Sequence, residues 1–349
     1  MKGKIGVLLV NLGTPDSTKV GDVRKYLRQF LMDGRVIDIP FAARFALVNL
    51  IIAPFRSFKS AAEYRKLWTD RGSPLLYHSE DVVEMLREQL DPETFQIELG
   101  MRYQSPSVES ALKRLYNPSL KHLIVIPLFP QYASATTGSV HDEVMRLVRK
   151  WQLIPKISMV DTYAENPKMI ETFATIGRQY MEEEEFDHFL FSYHGLPERQ
   201  LKKADPECKC NAECCGTFTD RNRLCYRAQC YQTSRKLAEA LGLSDDQYSV
   251  SFQSRLGRDP WLQPYTDDTV KKLAHNGVKK LLTFSPSFVS DCLETTVEIN
   301  EEYGEEFVEE GGEKLQLADS LNSHPMWVET LKDMIMEQAG MKKEEMQVS

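Results

Sequence analysis

The chain has 349 residues, 42% apolar and 27% charged, a globular composition that excludes a wholly disordered protein. Its 43 Lys and Arg face 51 Asp and Glu, a net charge of −8, and nucleic-acid binding, which needs clustered cations, is not expected. The length is comfortable for two domains.

Residues 1–12, MKGKIGVLLVNL, contain a short apolar run that leads into Gly13-Thr14-Pro15. That is a turn and not a small-residue cleavage site, so no signal peptide is read. No apolar stretch reaches the roughly 18 residues of a membrane span. The chain is therefore expected to be cytoplasmic. Seven cysteines in a reducing compartment argue for metal binding, reactivity or packing over structural disulfides.

Taken in chain order, strands are expected at Ile5–Val10, Phe95–Leu99, His122–Phe129, Lys156–Val160, His188–Tyr193, Tyr248–Phe252 and Lys280–Phe284. Several are almost continuous in Val, Ile and Leu, as a strand reads when helices cover both its faces. Helical patterns lie between them at Ser79–Leu90, Ser107–Tyr116, Pro167–Glu183 and Tyr231–Leu241. This alternation predicts an α/β fold with parallel sheets and right-handed crossovers. Strand–loop triplets recur: GVLLVNLGTP, IELGMRYQSP and HLIVIPLFPQYASATTGS, then HFLFSYHGLP, YSVSFQSRLGRDP and KKLLTFSPSFVSDCLET. The expectation is two related doubly wound, Rossmann-like domains with a cleft between them, and chemistry on the loops after the strands. The first would be 1–162, completed by a C-terminal helix at 325–349. The second would be 163–324, with a cysteine-rich insertion at 206–230.

Four features carry chemistry. His194 follows a strand and precedes Gly195 and Pro197, where an imidazole can exchange protons near neutral pH. In 285–303, Glu294, Glu298 and Glu302 are spaced four apart, so a helix stacks them on one face. Exposed, such a stack is an ordinary solvated surface; lining a cleft, it raises its own pKa values and can pass protons or a hard cation. Trp261 lies between Pro260 and Pro264, suited to a flat ligand or to filling space beneath a loop. Cys208, Cys210, Cys214, Cys215, Cys225 and Cys230 crowd one polar stretch. Four thiolates could hold zinc or a 2Fe–2S cluster, and the spacing does not choose among the six.

Taken together, VNLGTPDS, RGSPL at 71–75, FPQYASATTGS at 129–139, SYHGLPER at 192–199, FQSRLGRDPWLQPYTD at 252–267 and PSFVSDCLETTVEI at 286–299 resemble the ferrochelatase family. They stand in the family's order and span nearly the whole chain. The resemblance implies a two-domain chelatase fold holding a porphyrin, with His194 and Glu294 as active-site residues toward ferrous iron. It places Glu298, Glu301 and Glu302 on an acidic helix with π-type winding. It further implies substrate contacts from Arg102, Tyr103, Tyr132, Trp261 and Phe288, with Arg56 and Ser73 near propionate sites. Cys292 after Asp291 is similar to the Gram-negative bacterial branch. Some members carry a 2Fe–2S cluster. This chain ends MKKEEMQVS without cysteine, so a cluster here would be internal.

The reaction so implied is insertion of Fe(II) into protoporphyrin IX, the last step to protohaem. Coproporphyrin is the alternative substrate, and a non-catalytic porphyrin or haem carrier the alternative role. The apolar stretch 41–55, FAARFALVNLIIAPF, reads either as a lip resting on the inner face of the membrane or as a buried helix. Oligomeric state is left open.

Overall fold

The computed structural model describes residues 3–257 and 259–341. The chain divides into two compact units. One is Met1–Phe129, Ser134–Asp161 and Asn322–Ser349; the other is Pro130–Ala133 and Thr162–Leu321. Residues 342–349, the end of the helix expected at 325–349, lie outside the described residues.

The first unit is built on β1 (Lys4–Gly13), β2 (Phe95–Tyr103), β3 (Leu120–Pro127) and β4 (Lys156–Met159), all parallel in the order β2-β1-β3-β4. Leu8, Val10, Leu123 and Val125 point to one face, against the helices Val108–Leu115 and Ser139–Val148. Val7, Leu9, Ile124 and Ile126 on the other face are equally buried, and the helices Pro74–Gln89 and Pro325–Ala339 pack on β1 and β3. Two covered faces explain the near-continuous apolar runs.

The second unit repeats the plan. Its strands are β5 (His188–His194), β6 (Tyr248–Gln253), β7 (Lys280–Phe284) and β8 (Lys314–Leu317), parallel in the order β6-β5-β7-β8. Leu190, Leu281 and Leu315 pack with Val270 and Leu273 of the helix Thr266–His275 and with Ile299 and Phe307. On the helix Pro167–Glu183, a side chain at Gly177 would meet the Phe284 ring at 2.6 Å. That helix starts where expected because Asn166 accepts from the Lys168 and Met169 N–H groups and Pro167 occupies the first turn. The α/β architecture and parallel sheets are as the sequence implied. β8 was not anticipated, being a four-residue edge strand, KLQL, beside an acidic loop.

The stretch around 41–55 differs from expectation. It lies in one helix, Phe41–Leu67, long and apolar enough to cross a membrane by length and composition, whereas Arg44, Asn49 and Arg56 break the run when read as sequence. It is not a buried helix: Phe55 is 75% exposed and Leu50 67%, and Phe41, Phe45, Ile51 and Phe58 are exposed as well. Its turns at Leu47–Ile52 are π-wound.

Candidate active site

The carboxyl ends of β5 and β6 assemble the chemistry of the second unit. His194 is the last residue of β5, paired in register with Gln253 of β6. The Gly195 N–H donates to the Gln253 carbonyl at 2.8 Å, and a Cβ on Gly195 would sit 2.8 Å from that same oxygen. Glycine is therefore what lets the chain turn there. The His194 carbonyl accepts from the buried Tyr226 hydroxyl at 2.8 Å, and its Nδ1 lies 2.6 Å from the Gly195 carbonyl oxygen. A carbonyl only accepts, so Nδ1 carries the proton, leaving Nε2 of the neutral ring with a free lone pair.

The acidic run forms a π-helix over Leu293–Tyr303. Its i→i+5 bonding leaves residues four apart on one side. Glu298 is half-buried and well held: Ser254 Oγ donates to both its oxygens at 2.8 and 2.7 Å, Tyr303 at 3.1 Å and Gln253 Nε2 at 3.3 Å. Burial is the largest influence on it and leaves its pKa above the ordinary 4.5, although Ser254 and the nearby His194 pull it down. Gln253 Nε2 also donates to the Glu294 carbonyl at 2.8 Å. Beside Glu298 opens a groove of about 480 Å³ lined by Glu302, Glu305, Glu306, Glu309 and Asp267 among others. Glu294 is half-buried, Glu302 exposed and Glu301 half-buried.

Trp261 packs 6.4 Å, ring to ring, from His194. Its Nε1 donates to the Leu256 carbonyl at 2.8 Å, and Pro197 bridges to it across the turn. Tyr132 is half-buried, its N–H donating to Gln229 Oε1 at 2.6 Å. Phe288 is half-buried after β7, where its N–H donates to the Ser285 carbonyl.

In the first unit, Arg102 and Tyr103 converge on Asp33, which sequence reasoning missed. Arg102 donates to Asp33 at 2.6 Å, Tyr103 at 2.9 Å and Ser139 at 2.5 Å. Burial alone would raise the Asp33 carboxyl, but Ser139, the Arg35 N–H and the Arg102 charge overcome it and hold it below the ordinary 3.8. Tyr103 has no exposed surface, so its side chain supports Arg102 in this structure and offers no face to a substrate. Ser73 precedes the helix Pro74–Gln89 and is 2% exposed, its hydroxyl without a hydrogen-bond partner. Arg56 is exposed on the long apolar helix.

The family model for ferrochelatase matches residues 4–339. This chain belongs to the ferrochelatase family. Ferrochelatase of Coxiella burnetii (strain CbuK_Q154) is 47% identical over 95% of this chain and 93% of its own length. That of Legionella pneumophila (strain Lens) is 44% identical over 95% and 99%. Among solved structures, SirB from Bacillus subtilis, with Fe3+, is similar in fold at a TM-score of 0.51 and 12% identity, covering 96% of each chain.

Set against this ferrochelatase frame, the cysteine insertion requires a correction. Cys208 and Cys210 lie sulfur to sulfur at 3.4 Å, and Cys215 donates to Cys225. Cys230 is fully buried in the helix Tyr226–Leu241, beside the Tyr226 hydroxyl, and Cys214 lies on the short helix Ala212–Cys215. Zinc or a 2Fe–2S cluster needs thiolates converging on one point. Here two sulfur pairs lie near one another, Cys208 within electrostatic reach of Cys214, Cys215 and Cys225, while among the described residues no three His, Cys, Asp or Glu side chains are grouped to hold a metal ion. In this metal-free state burial pushes the Cys208 and Cys230 thiols up and Cys210 up to about 12, so they rest as thiols. As they are placed here, the described cysteines do not support the expected 2Fe–2S or zinc centre. The insertion is instead fastened by polar contacts, Arg221 to Glu207, Asn222 to the Thr217 carbonyl and Asn211 to the Cys214 N–H.

Two outcomes are expected. Asp33→Ala leaves Arg102, Tyr103 and Ser139 without their shared acceptor and should cost about 3–5 kcal/mol in urea unfolding. Because the folded pKa is depressed, this stabilisation is complete above the unfolded value and is lost as pH falls through the folded one. The variant's stability should therefore depend less on pH below about 4. In the insertion, the Cys215 thiol lowers the Cys225 pKa, so brief iodoacetamide treatment near pH 7.5 should alkylate Cys225 ahead of Cys210 by peptide mass spectrometry, about tenfold or more. Equal labelling would contradict the pairing.

Proposed function

We propose that this chain inserts Fe(II) into protoporphyrin IX to give protohaem, the closing step of haem biosynthesis. Family membership supports metal insertion into a porphyrin. The observation that carries the mechanism is the His194 imidazole, with Nε2 free, beside a half-buried carboxylate on an acidic π-helix.

A free porphyrin carries two pyrrole N–H groups, and both protons must leave as the metal enters. The balance is Fe2+ plus porphyrin giving the iron porphyrin and two protons. His194 Nε2 accepts one pyrrole proton, and Glu294 serves the acidic side as acceptor or as the last hold on iron. Glu298 and Glu302 connect that point to the acid-lined groove, which takes protons out and attracts the hard cation in. Arg102, Tyr132, Trp261 and Phe288 serve the macrocycle and Arg56 its propionates, while the buried Ser73 supports the start of its helix. Tyr103 acts through Arg102. Remote contacts of this kind offset the strain of bending the ring.

The exposed apolar side of the helix Phe41–Leu67 suits the surface of a lipid bilayer, and we place the protein peripherally at the inner face of the membrane. Porphyrins partition into lipid, so such contact shortens the substrate's path.

Anaerobic assays with ferrous iron test the reaction. Wild type should metallate protoporphyrin with a higher kcat/KM than coproporphyrin. His194→Ala and Glu294→Ala should each lower turnover about 10²–10⁴-fold while porphyrin fluorescence titrations still show binding. Wild type that binds porphyrin and never metallates it would make the protein a carrier. Liposome flotation tests the membrane contact: Leu50→Glu with Phe55→Glu should remove most binding to anionic vesicles, since each buried apolar side chain is worth about 1.5–3 kcal/mol. Because both residues are exposed, the fold should be unaffected.

A further inference from the structure

Gln253 belongs to a motif that carries the family resemblance, yet its amide has no ionisable group and the proposed chemistry gives it no step. It is 1% exposed. Its backbone carbonyl accepts from Gly195, the residue after His194, at 2.8 Å. Its side chain donates to the Glu294 carbonyl at 2.8 Å and to Glu298 at 3.3 Å. One residue therefore grips the histidine turn with its main chain and the acidic π-helix with its carboxamide.

The orientation of that carboxamide is determined by a directed chain of hydrogen bonds. The Glu294 carbonyl only accepts, so Nε2 must face it and Oε1 must face the other way. Oε1 meets Ser192 Oγ at 2.9 Å, Ser192 meets Thr266 Oγ1 at 3.0 Å, and Thr266 meets Ser251 Oγ at 2.9 Å. Each hydroxyl has one proton. Ser192 must spend it on Gln253, so Thr266 donates to Ser192 and Ser251 donates to Thr266. Ser192, Ser251 and Thr266 are at most 1% exposed, so no water competes for these bonds.

We infer that Gln253 is a positioning residue for metal insertion, fixing His194 and the Glu294–Glu298 turn relative to each other, and that the Ser251–Thr266–Ser192 chain sets the direction of its amide. The inference rests on the proposed iron insertion. Its physical basis is that reacting groups displaced by about 1 Å lose on the order of 10²-fold in rate.

Gln253→Met keeps the backbone bond and the side-chain length but removes the amide. It should lower kcat about 10- to 100-fold with KM for porphyrin changed less than about twofold. Thr266→Val keeps volume and deletes the hydroxyl; Thr266→Ser keeps the hydroxyl and deletes a methyl. The hydrogen-bond chain predicts that Val loses more activity than Ser, whereas a packing role predicts the reverse order. Hydrogen exchange of the Leu293–Tyr303 segment, read by mass spectrometry, supplies a measure independent of turnover. Gln253→Met and Thr266→Val should speed it and Thr266→Ser should not. Wild type unable to metallate porphyrin would remove the proposed reaction and leave exchange to decide the positioning. Unchanged kcat in Gln253→Met of an active enzyme, unchanged exchange, or Ser losing more than Val would overturn the inference.

Discussion

A parallel strand that ends leaves backbone groups which the next strand no longer satisfies, and buried backbone groups must find partners. At the end of β5 the Gly195 N–H finds the Gln253 carbonyl, and much of the second unit's site follows from that contact. It aims the chain so that His194 Nδ1 meets the Gly195 carbonyl, which selects the tautomer. It brings Pro197 against Trp261, which places the indole beside the imidazole. A residue with a Cβ at 195 would push against the Gln253 oxygen and the Trp261 ring together, so a single glycine sets the spacing of His194, Gln253 and Trp261.

The π-helix adds a second constraint. Such winding is rare and hydrogen-bonds less favourably than α-helix, so surrounding contacts must hold it in place. Here they come from β6 and the residue after it: Gln253 takes the Glu294 carbonyl, and Ser254 takes both oxygens of Glu298. The same bonds that steady the winding also solvate a half-buried carboxylate. Burial raises the Glu298 pKa, while these donors and His194 restrain the rise. The site thus keeps an acid whose affinity for protons is adjustable, next to a groove of further carboxylates that remain wet.

What the sequence made legible was set by burial. β1, β3 and β7 were readable because both faces are covered and their residues are largely apolar; β8 was not, because a four-residue edge strand with Lys and Gln has no such signature. The position of His194 at a strand end and the helical run of Glu294, Glu298 and Glu302 were readable from sequence. Gln253 and Asp33 were not, since a neutral amide and an isolated aspartate acquire meaning only from partners distant in sequence. Tyr103 was read as facing substrate; only packing reveals that its hydroxyl turns inward to Asp33. The cysteines show a limit of the opposite kind. Their density suggested one shared centre, but thiols can also be consumed in pairs and in a helix core, which spacing does not distinguish.

The two units share strand order, and they also share a backbone device at the same place. β2 and β6 are each the second strand of their sheet, and each is followed by a non-glycine residue in the left-handed region: Gln104 at φ 67° after Tyr103, and Ser254 at φ 66° after Gln253. In each, a glycine on or next to the end of the neighbouring strand comes close to the last residue's carbonyl. A Cβ on Gly13 would lie 2.0 Å from the Tyr103 oxygen, as one on Gly195 would lie 2.8 Å from that of Gln253. A non-glycine residue with positive φ is unfavourable unless its surroundings enforce it, so its recurrence at equivalent points argues that the turn is a property of the strand arrangement the two units share. The chemistry then diverges in the side chains. In the first unit Tyr103 closes a buried cluster around Asp33 and steadies an arginine. In the second the equivalent position is an amide, which reaches outward to an acidic helix that the first unit does not place there. One scaffold position thus supplies structure in one half and orientation of proton-handling groups in the other.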